Sequence, residues 1–383
     1  MARTTSKLPD VGTTIFTVMS ALAADCGAIN LSQGFPDFDA PEGLLDRVNH
    51  HLRAAHNQYA PMAGLPALRE AIAAKTLACY DRRADPEQEI TVTSGATQAL
   101  FCVIEAFVHP GDEVIVLDPA YDSYDPAIRL AGGRPIHVPL RSPDFSLDFS
   151  ALEAAIGPRT RMLILNTPHN PTGAILSGTD VQRLADLVRD TDILLLGDEV
   201  YEHMVYGDAR HESLLRYPEL AERSLAVFSF GKTYHVTGWK IGYVVASPAL
   251  TKEFRRVHQF VQFCVATPLQ HALADFLASD PGHYRELPAF YASKRDYFCQ
   301  LLAHSRFRLQ PSAGTYFQLA DFGAISDETD TVFAERLTRE SGVACIPISV
   351  FYAEPPTEQR LVRFCFAKDD QTLERAAEIL CTI

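Results

Sequence analysis

A chain of 383 residues is long enough for two or three domains of roughly 150 residues each, and its 47% apolar and 21% charged residues exclude a disordered or collagen-like polymer. Thirty-four basic against 48 acidic residues leave a formal charge of −14, which argues against a broad electrostatic footprint for nucleic acid or anionic lipid. Any anion must be held locally.

Arg3 and Lys7 precede Thr13–Ala24, which superficially resembles the apolar stretch of a signal peptide. Four hydroxyl residues within it, and Ile15, Met19 and Leu22 at helical spacing, favour an amphipathic helix and a cytoplasmic enzyme instead. From about Glu89 to Val245, short β-rich runs alternate with helical ones, the pattern of an α/β domain with a largely parallel sheet. The predicted strands are Ile90–Ser94, Glu113–Leu117, Arg161–Asn166, Asp192–Gly197, Leu225–Ser229 and Ile241–Val245. Most are near-continuous apolar runs, as expected of strands covered on both faces. Thr97–Val108 and Thr179–Val188 read as helices. After Val245 helical segments run to about Ala303, with Pro281-Gly282 as the break before a smaller α+β unit. That unit ends in an alternating strand, Arg360–Phe366, and a last helix, Leu373–Cys381.

Eight cysteines form no C-x-x-C and read as reduced, mostly buried thiols. No run approaches the ~18 apolar residues of a membrane span. Gly231-Lys232-Thr233 ends like a phosphate-binding loop, but the required earlier glycine is Ala226. Neither G-x-G-x-x-G after a strand, nor H-E-x-x-H, nor a G-x-S-x-G elbow is present. What remains is a series of polar residues at the ends of predicted strands, where open α/β sheets bind ligands. Gly95-Ala96-Thr97 opens a helix and offers backbone N–H groups to a phosphate. Asn170 lies in a turn after Arg161–Asn166, Asp198 and Tyr201 follow Asp192–Gly197, and Lys232 follows Leu225–Ser229.

Taken singly, each of these is an ordinary turn, cap or loop residue. In this order they carry a resemblance to the class I, fold-type I pyridoxal-phosphate aminotransferases along nearly the whole chain. The matching blocks are NLSQGFPDFDAP (30–41), NQYAPMAGLPALREAIA (57–73), TSGATQAL (93–100), DPAYDSY (118–124), NTPHNPTG (166–173), GDEVYEHMVY (197–206), SFGKTYHVTGWKIGY (229–243) and RFCFAK (363–368). Within that class the sequence is similar to the bacterial methionine aminotransferases and to the kynurenine aminotransferase/glutamine transaminase K group.

The resemblance implies an α/β fold: a large domain with a mostly parallel seven-stranded sheet flanked by helices, plus a smaller α+β domain. Its divisions would be an arm and part of the small domain in residues 1–45, the large domain in 46–280, and the rest of the small domain in 281–383. The implied cofactor is pyridoxal 5′-phosphate, which supplies an electron sink while the protein supplies orientation and electrostatics. Lys232 is matched to the lysine that joins the cofactor aldehyde and then moves the substrate proton. Asp198 is matched to the carboxylate that keeps the pyridine nitrogen protonated, Asn170 and Tyr201 to the partners of the phenolic oxygen, and Tyr121 to the ring stacked on the cofactor. Gly95, Ala96, Thr97, Ser229 and Lys240 would hold the phosphate, and Tyr59 would reach the phosphate of a neighbouring subunit, so that a homodimer shares its sites.

By the same resemblance Arg363 grips the substrate α-carboxylate, helped by Asn170 and the backbone of Gly34. Relatives specific for dicarboxylates use a second arginine, and Gln259–Gln262 with Phe263 and Cys264 contain none. The pocket is therefore expected to be apolar, with Phe16, Phe260, Phe263 and Tyr59 as candidate walls. Methionine is the first-choice amino donor, with phenylalanine, tyrosine, glutamine or kynurenine as others and a 2-oxo acid as acceptor. A cysteine-S-conjugate β-lyase is the alternative use of the same cofactor chemistry. The expected partners are small molecules and a second copy of the chain, with no metal, nucleic acid or membrane.

Overall fold

The computed structural model describes residues 5–383, so Arg3 lies outside the described residues. A seven-stranded sheet is formed by β1 (Ile90–Thr93), β2 (Glu113–Asp118), β3 (Arg134–Pro139), β4 (Thr160–Asn166), β5 (Leu194–Asp198), β6 (Ser224–Ser229) and β7 (Gly242–Ala246). Its order is β1-β7-β6-β5-β4-β2-β3, with β7 antiparallel to both neighbours and all other pairs parallel.

The continuous apolar runs are explained by two cores, one on each face. Val114, Val116, Ile164 and Leu196 belong to one core, while Ile115, Leu117, Leu163, Leu165 and Leu195 belong to the other. Successive residues of a strand point to opposite faces, so a strand covered on both sides must be apolar at every position. The strand β3 escaped sequence reading because it is an edge strand, only partly buried, with two prolines. Proline is tolerated at an edge because no ladder N–H is needed there.

A four-stranded antiparallel sheet contains β8 (Arg308–Leu309), β9 (Phe317–Asp321), β10 (Ile346–Pro347) and β11 (Leu361–Cys365), in the order β10-β11-β9-β8. Ile29–Asn30 pairs in parallel with Val343–Ala344, tying an early segment of the chain to a late one. The N-terminal segment forms a helix, Ile15–Cys26, with Met19 and Ala23 buried and Ile15 and Leu22 packed against the core.

Two sequence expectations need correction. The strand around Arg363 does not alternate between core and solvent: Val362 to Cys365 are all buried. Arg363 points inward as expected and lines a cavity. The helical stretch after Val245 has an additional break, giving Pro248–Val261, Thr267–Ser279 and Gly282–Leu301. The break at 262–266 includes Phe263 at a positive φ of 57°, which a regular helix does not accommodate.

At the carboxyl ends of the strands the backbones approach closely. A Cβ at Gly242 would lie 2.4 Å from the Phe228 carbonyl oxygen and 3.2 Å from the Ala96 nitrogen, so only glycine fits between β6 and the start of the helix Gly95–Phe107. Gly95 itself has φ +74°, the conformation that turns β1 into that helix.

Candidate active site

The carboxyl ends of β4, β5 and β6 place Asn166, Asp198 and Ser229 side by side; Asn166 pairs with Asp198, and Asp198 with Val227 two residues before Ser229. A cavity of about 410 Å³ opens over them. Ala96, Thr97 and Lys240 also line it, together with Tyr121, Asn170, Tyr201, Lys232, Gly34, Phe16 and Arg363. Its size lies within the range of small-molecule sites.

Lys232 projects from a single helical turn, Phe230–Thr233, that follows β6. Its Nζ donates to the Tyr316 hydroxyl at 2.8 Å and to the Gly34 carbonyl at 3.1 Å, while the Tyr316 hydroxyl donates to the same carbonyl at 2.6 Å. Burial pushes the ammonium pKa down to about 8, because the charged form loses its hydration. A lysine in that range carries a usable fraction of free amine near neutral pH.

Asp198 is buried at the end of β5, and one carboxylate oxygen accepts from the Tyr124 hydroxyl at 2.6 Å. The other, Oδ1, is buried without a hydrogen-bond partner. Burial raises its pKa to about 6, partly offset by the Tyr124 bond. A buried carboxylate oxygen without a donor is costly unless a ligand provides one.

Arg363 is fully buried on β11. One terminal nitrogen donates to Asn170 Oδ1 at 2.5 Å and the other to the Ser32 carbonyl at 3.0 Å, while its Nε has no partner. The guanidinium lies 3.8 Å from the centroid of Phe317 and 5.2 Å from that of Phe16. An unpaired cation at this depth calls for an anionic ligand.

At the opposite end, no side chain caps the helix beginning at Gly95, leaving first-turn N–H groups and the positive end of the helix dipole beside Ser229 and Lys240. A Cβ on Gly95 would come within 3.3 Å of Lys240 Cε, so the glycine leaves room for that ammonium stem.

Three residues expected at the site are not brought into this cavity by one chain. Tyr59, Phe260 and Phe263 are exposed, and Tyr59 and Phe263 meet edge to face with centroids 5.1 Å apart. Conversely Asn166 and Phe317 line the cavity, and Tyr316 and Tyr124 bond Lys232 and Asp198, without having been singled out. Tyr124 stood within a matched block, DPAYDSY, whereas no motif marked Tyr316 or Phe317. His169 bonds Thr172 Oγ1 at 2.8 Å and braces the turn carrying Asn170, while His235 lies against Tyr291 with Nδ1 3.1 Å from its hydroxyl.

The model of the family described as aminotransferase class I and II matches residues 27–380. The chain belongs to that family. Escherichia coli methionine aminotransferase is 51% identical over 98% of this aminotransferase and 97% of its own length. Mouse kynurenine–oxoglutarate transaminase 3 is 36% identical, covering 97% of this chain and 88% of the relative. Among solved structures, Escherichia coli YbdL, described as having a methionine aminotransferase function, superposes with a TM-score of 0.98 at 50% identity over the full length of both chains. A Thermus thermophilus aspartate aminotransferase mutant gives 0.90 at 30% identity, again over both full chains.

Members of this family depend on pyridoxal phosphate, and the residues here fit it. The unpartnered Asp198 Oδ1 matches a ring N–H, the open helix start with Ser229 and Lys240 matches a phosphate, and Lys232 provides a half-buried amine in the same cavity. No helix of the described residues is long and apolar enough to cross a membrane.

Proposed function

We propose that this aminotransferase takes the α-amino group of methionine, and of other amino acids with apolar or aromatic side chains, and passes it to a 2-oxo acid. The observation carrying this reading is the cavity lining. Its cations are Lys232, Lys240 and Arg363, each with a task in binding cofactor or α-carboxylate, while Phe16 and Phe317 lie beside Arg363 and Phe35 is a further aromatic ring in the lining. A side-chain carboxylate would be desolvated there without a partner, whereas a thioether or ring packs against aromatic faces.

When bound, pyridoxal phosphate supplies the electron-accepting ring that makes a substrate α-proton removable. Asp198 would hold the ring nitrogen in its protonated form, with Tyr124 fixing the carboxylate rotamer. Asn170 and Tyr201 would flank the phenolic oxygen, and Tyr121 would cover one face. Gly95, Ala96, Thr97, Ser229 and Lys240 would hold the phosphate. Arg363 binds the substrate carboxylate through its free Nε–H and the donors it shares with Asn170, which fixes the Cα–H direction. Lys232 Nζ, steered by Tyr316 and the Gly34 carbonyl, would take up the substrate α-proton and hold it for return.

The exposed Tyr59 and Phe263 support a site completed by a second copy of the chain, with Tyr59 directed to its partner's phosphate. Sedimentation equilibrium should then give twice the 42.3 kDa chain mass at micromolar concentration, and a monomer with full activity would refute the shared site. All eight cysteines are free, which supports action in the reducing cytoplasm.

A steady-state panel tests the donor reading. Methionine, phenylalanine and tyrosine should exceed aspartate in kcat/KM by at least about 100-fold, the discrimination expected from leaving a charge unpaired in an apolar pocket. Equal or better turnover of aspartate would overturn it.

A further inference from the structure

Away from the cavity, three imidazoles converge between two packed helices. His51 lies in the last turn of the helix Glu42–Arg53, His56 follows that helix, and His271 lies in the first turns of Thr267–Ser279. One ring nitrogen from each lies within 4.8 Å of the other two. His51 is buried and the other two are half-buried. His51 Nδ1 is 2.8 Å from His56 Nδ1, while His51 Nε2 is 2.8 Å from the carboxylate of Asp275, one helical turn beyond His271.

Two features distinguish this arrangement from chance surface histidines. Asp275 accepts from Nε2–H of His51 and so leaves the Nδ1 lone pair facing His56, the tautomer and orientation that a ligating imidazole needs. The three imidazoles also converge from the end of one helix and the start of another, with His56 Nδ1–H donating to that lone pair of His51. A tetrahedral ion with metal–nitrogen bonds of about 2.0–2.1 Å sets ligand nitrogens about 3.3 Å apart. One nitrogen of each ring lies within 4.8 Å of the other two, and the rings, stacked with centroids 4.2–5.0 Å apart, would rotate to aim those nitrogens at one ion.

We propose that His51, His56 and His271 bind a divalent transition-metal ion of the zinc type, with Asp275 orienting His51 and water completing the coordination. Imidazole suits zinc, nickel, cobalt and copper, whereas calcium and magnesium need oxygen ligands. The ion is structural: it joins the end of one helix to the start of another and steadies residues 54–59 between them. Gln58 is held there by Thr267 Oγ1 at 2.5 Å.

The test uses untagged, cofactor-loaded protein stripped with a chelator, titrated with Zn²⁺ by calorimetry and with Co²⁺ by visible absorption. One ion per chain is expected, with a Co²⁺ spectrum of nitrogen and oxygen ligation and no sulfur charge-transfer band. His56→Ala and His271→Ala should each weaken binding at least about 100-fold, and Asp275→Asn by about 10–100-fold. Zn²⁺ should raise the thermal midpoint of the unsubstituted protein but not of His271→Ala, whose half-buried site tolerates truncation. Superimposable Zn²⁺ titrations of the unsubstituted and His271→Ala proteins, or a cysteine-type Co²⁺ spectrum, would overturn the proposal.

Discussion

Lys232→Ala is expected to lower turnover of methionine by at least about 10³-fold while leaving the fold intact. The magnitude follows from general acid–base catalysis, which by itself contributes about 10²–10⁴-fold. Removing the amine takes away the group positioned by Tyr316 and Gly34 to carry the proton between two carbons, and no other cavity-lining amine can replace it, because Lys240 lies at the phosphate end beside Gly95. The fold should survive because the turn is anchored by Phe230 and Tyr234, both buried, rather than by the lysine. Steady-state assay of the cofactor-supplemented variant, with its thermal midpoint as control, checks this. Turnover near that of the unsubstituted enzyme would remove Lys232 from the role of base.

Asp198→Asn should separate activity from stability. An amide cannot neutralise a protonated ring nitrogen, so the electron sink weakens and kcat should fall at least about 100-fold. The cofactor-free chain should respond in the opposite sense. Burial raises the folded pKa of Asp198 from 3.8 to about 6, so its contribution to stability is fully present below pH 3.8 and is lost as pH rises through about 6. A shift of that size corresponds to a penalty of up to about 3 kcal/mol at pH 8. The amide oxygen can still accept from Tyr124, and the variant carries no such penalty. Denaturant unfolding of the cofactor-free proteins should therefore show similar stabilities near pH 3.5 and a more stable variant at pH 8. A variant less stable at pH 8 would contradict the description of Asp198 as a strained, waiting carboxylate. This is the trade of stability for function common at active sites.

How far the site could be read from sequence depended on whether its residues lie at the ends of buried strands. Asn170, Asp198, Ser229 and Lys232 follow apolar runs whose two-sided burial makes them conspicuous, and the cavity gathers all four. Arg363 was read as an inward arginine in an alternating strand; it is indeed buried and lines the cavity, but the strand does not alternate, since Val362 to Cys365 are all buried. Tyr316 and Phe317 were missed since an aromatic pair opening a strand looks like core, and both are indeed buried; only the tertiary fold reveals that one hydroxyl faces Lys232. The edge strand Arg134–Pro139 and the break at 262–266 lacked the periodic signal on which the rest was read. Tyr59, Phe260 and Phe263 were nominated as walls by resemblance, and a single chain leaves them on its surface.

The central claim is that this chain exchanges an amino group with methionine rather than eliminating from it. The direct measurement mixes cofactor-loaded enzyme with L-methionine alone, without a 2-oxo acid, and follows the cofactor absorption band while quantifying products. The account predicts complete conversion of the band of lysine-bound cofactor to that of its amine form, one equivalent of the corresponding 2-oxo acid per active site, and no ammonia. Conversion by aspartate but not by methionine, or continuous release of ammonia and a 2-oxo acid without acceptor, would contradict it.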